Sequence, residues 1–207
     1  MEKIPFIKGT RCAKCGIPLK ISYPLKDIPY FLCGNCRIAP PLFDRALSVC
    51  LYHGIVKDII SAYKYQNKPS LGYDLVSMIL NSLKEGIIEL SPGLIIPVPL
   101  HRKRLKERGY DQASLLAFGI GRQLNIPVSF ENLIRTRYTI PQVNLSGYER
   151  TKNVRGAFSI RDNEELKDKV ILLIDDVLTT GATIRECVKL MRGASADKIH
   201  VLTFARA

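Results

Sequence analysis

The amino-acid sequence predicts an α/β fold, a parallel sheet with helices on its faces, preceded by a small N-terminal module organised by four cysteines. Three observations point there. Residues 170–174 (VILLI) form an unbroken apolar run without polar alternation, as in a strand covered on both faces. Further apolar runs at 94–98 and 198–204 alternate with stretches of helical periodicity, the order that produces a parallel sheet. Cys12 and Cys15, then Cys33 and Cys36, make two CxxC pairs at a spacing suited to one tetrahedral metal ion.

Taken in chain order, the cysteine pairs come first. Gly16 follows Cys15 and Gly34 lies within the second pair, and such turn residues let two sulfurs face one ion. Four thiolates close a zinc ribbon, so Zn2+ is expected as a structural ion. A redox dithiol would follow a βαβ pattern that residues 1–20 lack, and disulfides need an oxidising compartment. Residues 1–10 show neither the apolar core nor the cleavage pattern of a signal peptide, so a cytoplasmic location is expected. Cys50 and Cys187 stand apart and read as small buried apolar residues.

The zinc module is expected over 1–45 and the main domain over 46–207. Residues 42–65 alternate apolar and basic positions and end at Asn67, Lys68 and Pro69, so 46–70 reads as a linker or insertion. Leu75, Val76, Ile79, Leu80, Leu83 and Ile87 give 71–90 the spacing of a helix. A strand follows at 94–98 and a helix at 111–124. After the strand at 170–174, Val188, Leu190 and Met191 mark a helix over 184–192, and 198–204 is the last strand. No run approaches the ~20 apolar residues of a membrane span.

The end of the 170–174 strand carries the most explicit chemistry. Asp175 and Asp176 follow it directly, where open α/β sheets hold ligands, and can accept hydrogen bonds from vicinal hydroxyls such as those of a ribose. Thr179, Thr180, Gly181, Ala182 and Thr183 then form a hydroxyl-rich loop. Its glycine is free to take positive φ, and its backbone NH groups can converge on a phosphate that the next helix also faces. A plain turn with the Asp pair as helix cap would use the same residue types, but the whole order of strand, acids, loop and helix favours a ligand. After the 94–98 strand come His101, Arg102, Lys103, Arg104, Lys106 and Arg108. That position suits a second anionic group such as a diphosphate; the plainer reading is a solvated basic loop or helix face.

Residues 170–183 resemble the 5-phosphoribosyl-1-diphosphate (PRPP) motif of type I phosphoribosyltransferases, in which the acids engage the ribose hydroxyls and the loop wraps the 5-phosphate. The stretch PVPLHRKRLKERGYDQA at 97–113 is similar to the segment of ComF proteins in which a PVP strand end and the loop after it form a pyrophosphate site, followed by an RG-aromatic-NQ signature. Asp111 stands where that family carries Asn. Within 133–158, LIRTRYTIPQ and YERTKNVRGAF resemble the ComF stretch that corresponds to a flexible loop closing over substrate, with Gln142, Arg150, Asn153 and Arg155 as the matching positions. Four cysteines ahead of such a domain are themselves the ComF arrangement, so the resemblance covers nearly the whole chain. It implies a type I phosphoribosyltransferase-like fold, PRPP with Mg2+ as ligand, and diphosphate contacts from Leu100, His101, Arg102 and Lys103.

Charge adds a further expectation. Thirty-one Lys and Arg against nineteen Asp and Glu leave a net charge of +12, which favours polyanions through counterion release. Basic clusters lie beside aromatics: Arg104 and Arg108 near Tyr110, Arg135 and Arg137 next to Tyr138, and Arg150 and Arg155 between Tyr148 and Phe158. Cations with stackable rings suit single-stranded DNA. ComF proteins are associated with natural transformation, so the resemblance implies a role in handling incoming single strands, with DNA-uptake machinery as partners. The alternative expectation is a metabolic phosphoribosyltransferase acting on a nitrogenous acceptor.

Overall fold

A computed structural model describes residues 3–19, 30–139 and 147–207. Its elements run α1 (Gly34–Ile38), β1 (Arg45–Leu51), α2 (Ile55–Tyr65), α3 (Leu71–Glu89), β2 (Leu94–Pro97), α4 (Arg102–Arg108), α5 (Gln112–Leu124), β3 (Leu133–Arg135), α6 (Gly147–Val154), β4 (Phe158–Ile160), β5 (Val170–Leu178), α7 (Ala182–Gly193) and β6 (Lys198–Arg206).

Four strands form a parallel sheet in the order β1-β6-β5-β2. Its two faces are covered by different layers. Ile171 and Leu173 of β5 pack with Ile184, Cys187, Val188 and Met191 of α7. Leu172 and Ile174 pack on the other side with residues of α2, α3 and α5, among them Ile60, Ile79, Leu116 and Ile120. This double coverage explains why 170–174 is apolar without alternation. β3 and β4 pair antiparallel in a separate small sheet.

The helix expected at 71–90 and the strand at 94–98 are present as α3 and β2, and Asp111 caps α5 by accepting from the Ser114 backbone NH at 3.0 Å. Residues 46–70, expected as a linker or insertion, instead supply β1 and α2. Every residue from Ala46 to Cys50 is buried as β1 pairs with β6 from Arg45 and His200 through to Leu51 and Arg206. α2 buries only Val56, Ile60 and Tyr63, a one-residue-wide stripe that the interspersed polar residues mask in the sequence.

The basic stretch after β2, open between loop and helix in the sequence, is a helix, α4. β5 also runs further than its apolar residues, because Asp175, Val177 and Leu178 continue the ladder with Thr203, Ala205 and Arg206. The acids therefore belong to the strand itself, and Ala182 and Thr183 already lie in the first turn of α7.

The N-terminal module covers the outer edge of β1. The Ile7 NH donates to the Val49 carbonyl at 2.9 Å, the Leu51 NH to Pro5 at 3.0 Å and the Ala46 NH to Lys14 at 2.8 Å. Edge strands left open are prone to pair with other chains, so this cover is structurally useful. Gly16 permits the close fit: its φ is +71°, and a Cβ there would stand 2.5 Å from the Ala46 carbonyl oxygen. Gly34, by contrast, opens α1 without a left-handed backbone. Among the described residues no helix is long and apolar enough to cross a membrane.

Candidate functional site

Two sites emerge, one of sulfur and one of oxygen and nitrogen. The sulfurs of Cys12, Cys15, Cys33 and Cys36 all lie within 4.8 Å of one another, and Cys15 and Cys33 are 3.7 Å apart. A tetrahedron with metal–sulfur bonds of about 2.3 Å has edges of about 3.8 Å, so the cluster has the geometry to hold a metal ion. The Cys33 NH donates to the Cys12 sulfur at 3.3 Å. Burial opposes ionisation of Cys12, but the backbone groups of Cys15, Cys33 and Lys14 outweigh it and bring that thiol down to about 6. Burial pushes Cys15 and Cys36 up. Cys50 and Cys187 lie buried in the two core layers, as expected, and burial pushes Cys50 up to about 12.

The second site is a cleft of about 250 Å3 at the carboxyl ends of β2 and β5. Asp175 and Asp176 form part of its wall, with Thr179, Gly181, Ala182 and Thr183 beside them. Gly181 is the N-cap of α7 at φ +74° and offers no capping side chain, so the positive end of that helix borders the cleft. The acids do not cap the helix. Asp175 Oδ1 accepts from the Asp176 NH at 2.8 Å, and Asp176 Oδ2 pairs with Lys64 Nζ at 2.8 Å.

The electrostatics follow from this crowding. Burial first, and then the neighbouring charge of Asp176, push the Asp175 carboxyl up to about 7. Burial works against the Lys64 ammonium, but Asp176 and Asp175 outweigh it and raise its pKa. Arg104, Arg108 and Arg135 also line the cleft. Burial, then the charge of Arg104, lower the Arg135 pKa, and its Nε is buried without a hydrogen-bond partner among the described residues. An unpaired buried donor beside an uncapped helix end is an environment that an anion would satisfy.

Lys64 is held in place by the segment after α4. Tyr110 Oη and Gln112 Nε2 both donate to the Tyr63 carbonyl, while Tyr63 Oη donates to the Gln112 carbonyl at 2.9 Å. Asp111 Oδ2 accepts from the Leu100 NH at 2.7 Å. Burial raises the Asp111 pKa, against the pull of those two backbone donors. In this way α2 and the loop after β2 are tied to the start of α5.

Of the residues expected at the site, Asp175, Asp176, Thr179, Gly181, Ala182, Thr183 and Leu100 line the cleft, while Thr180 does not. His101, Arg102 and Lys103 also stand outside it. His101 caps α4 by accepting from the Lys103 NH at 3.2 Å, and Lys103 lies 4.9 Å over the Tyr138 ring. Their places are taken by Arg104 and Arg108, one helical turn apart on α4, together with Arg135. Asn153 and Arg155 do not line the cleft; their carbonyls accept from Arg137. Gln142 and the Arg150 side chain lie outside the described residues. Lys64 and Tyr65 were not foreseen, because α2 carries no motif that connects it to the acids.

Residues 115–207 match the phosphoribosyl transferase domain model. Competence protein F of Haemophilus influenzae is 32% identical over 213 residues, covering 97% of this chain and 92% of that protein. The DNA utilization protein YhgH of Escherichia coli K12 is 29% identical, covering 93% and 83%. Among solved structures, glutamine phosphoribosylpyrophosphate amidotransferase from B. subtilis, complexed with ADP and GMP, is 24% identical over 66% of this chain and 26% of that one, with a TM-score of 0.42. Sequence identity along almost the full length, with a parallel sheet and a four-cysteine cluster in the expected places, makes this chain a member of the competence protein F family, with a phosphoribosyltransferase-like fold.

Proposed function

We propose that the cleft binds PRPP with Mg2+, that the four cysteines hold a structural Zn2+, and that the protein handles incoming single-stranded DNA. One observation carries the ligand reading: the acids of β5 share a single cleft with the uncapped start of α7 and with three arginines. Asp175 and Asp176 would accept hydrogen bonds from the two ribose hydroxyls. Thr179, Gly181 and the first amides of α7 would hold the 5-phosphate. Arg104, Arg108 and Arg135 would face the diphosphate.

The carboxylates and hydroxyls of the cleft, together with the cations that line it, fit such a magnesium-bound anion. Mg2+ on the diphosphate and ribose hydroxyls would neutralise part of the ligand's charge. The sulfur-only donor set of the other cluster fits zinc. The DNA role is supported by the net charge of +12 and by what the relatives are called, a competence protein and a DNA utilization protein.

With Mg2+ and PRPP at about 100 times Kd, the thermal midpoint is expected to rise by roughly 5–10 °C. Asp175→Asn and Asp176→Asn should each reduce that rise, and a rise indifferent to both overturns the site. Zinc content measured on purified protein should be one ion per chain and should fall sharply in Cys12→Ser and Cys33→Ser; unchanged zinc in either rules out the four-cysteine site. Affinity for a single-stranded oligonucleotide should fall with salt by about 0.7 log units per log unit for each phosphate contacted. An absence of binding at low salt removes the DNA role.

A further inference from the structure

A second groove, of about 540 Å3, opens beside the cleft and shares Lys64, Tyr65, Arg104 and Arg108 with it. Tyr138, Lys106 and Asn67 complete its working surface, and Glu107 is the one acid among its lining residues. Its two aromatic rings are exposed, Tyr65 by 57% and Tyr138 by 40%. Each is already matched with cations. Arg108 lies 4.8 Å over Tyr65, and Lys103 and Arg104 lie 4.9 and 5.8 Å over Tyr138. Arg108 also donates to Gln112 Oε1 and Arg104 to the Thr139 carbonyl, which fixes their directions and leaves each guanidinium with further donors.

We propose that this groove receives single-stranded nucleic acid, with bases stacked on Tyr138 and Tyr65 and backbone phosphates on Lys106, Arg104 and Arg108. The inference rests on the PRPP and DNA reading above and locates the strand. Exposed rings framed by cations suit unstacked bases on an anionic chain, whereas the bases of a duplex are stacked on each other and unavailable. Because Arg104 and Arg108 line both spaces, diphosphate in the cleft and a strand in the groove compete for the same two guanidinium groups. A ligand that engages them weakens the grip on the strand.

The test is fluorescence anisotropy with a labelled single-stranded oligothymidylate at fixed ionic strength. Tyr138→Ala should weaken binding at least about five-fold, while Tyr138→Phe should retain it. Lys106→Ala should lower the salt slope by about 0.7 and leave the PRPP-induced midpoint rise unchanged. Tyr73→Ala, an exposed tyrosine of α3 outside the groove, should bind as wild type. Inorganic diphosphate should raise the dissociation constant of the wild type beyond its ionic-strength effect.

Wild-type affinity in Tyr138→Ala or Lys106→Ala overturns the groove. So does equal affinity for duplex, or displacement by polyglutamate as effective as by unlabelled oligonucleotide. Indifference to diphosphate overturns the sharing of Arg104 and Arg108. If the wild type binds no strand at all, it is the DNA role in the proposed function that fails.

Discussion

The ion pair between Lys64 and Asp176 is the contact around which the cleft is arranged. Two carboxylates in succession at the end of a parallel strand lose hydration and repel one another. Lys64, 2.8 Å from Asp176, neutralises one of them. The pair is largely shielded, with the Lys64 side chain 24% and Asp176 8% exposed, so losing one partner would leave an uncompensated charge at a cost of about 3–5 kcal/mol. That requirement fixes where α2 must end. Tyr110 and Gln112 enforce it by bonding to the Tyr63 carbonyl, one residue before the lysine. Tyr110 and Gln112, which in the sequence follow the stretch read as an anion site, thus act as the clamp that positions α2.

The N-terminal module bears on the same sheet from the opposite edge. Its backbone pairs with β1, and Arg206 at the end of β6 donates to the Cys15 carbonyl. The cysteine module therefore covers the β1 edge of the sheet. In small metal modules the ion supplies on the order of 10 kcal/mol towards folding. With an ion in the four-cysteine cluster, as proposed, the bonds to β1 would connect that contribution to a strand of the sheet that carries the acids.

Much of this was legible in the sequence, and the misses have physical causes. β5, α3, α5 and β6 were readable because each buries a wide apolar face or both faces. Asp175, Asp176 and the loop after them were readable because strand, acids and glycine fall in one short stretch. Lys64 was not, because it comes from a helix with a narrow apolar stripe and meets Asp176 only through tertiary packing. Among the cations of 102–108, composition gave no orientation. Helical phase decides it: Arg104 and Arg108, one turn apart, both line the cleft, while Lys103 lies outside it over Tyr138, a ring that Arg104 also approaches. The aromatic partners shifted for the same reason. Tyr110 is spent on Tyr63, and Arg135 stacks on Phe158 at 5.1 Å rather than on its sequence neighbour Tyr138.

Among the described residues Asp175 has no ion pair of its own, and burial together with the charge of Asp176 pushes its carboxyl up to about 7, the kind of perturbation that the proposed ligand site would use. With the folded carboxyl raised above its unfolded value, the folded state binds the extra proton between the ordinary carboxylate range and about pH 7. Stability from this group is therefore present at low pH and lost as pH rises through that window. Asparagine removes the titration and keeps an oxygen for the Asp176 NH. The most direct measurement is the thermal midpoint of wild type and Asp175→Asn, without ligand, from about pH 4 to about pH 8. The account predicts that the variant gains on the wild type steadily as pH rises and levels off above about pH 7. A difference between the two proteins that stays constant across this range would contradict it.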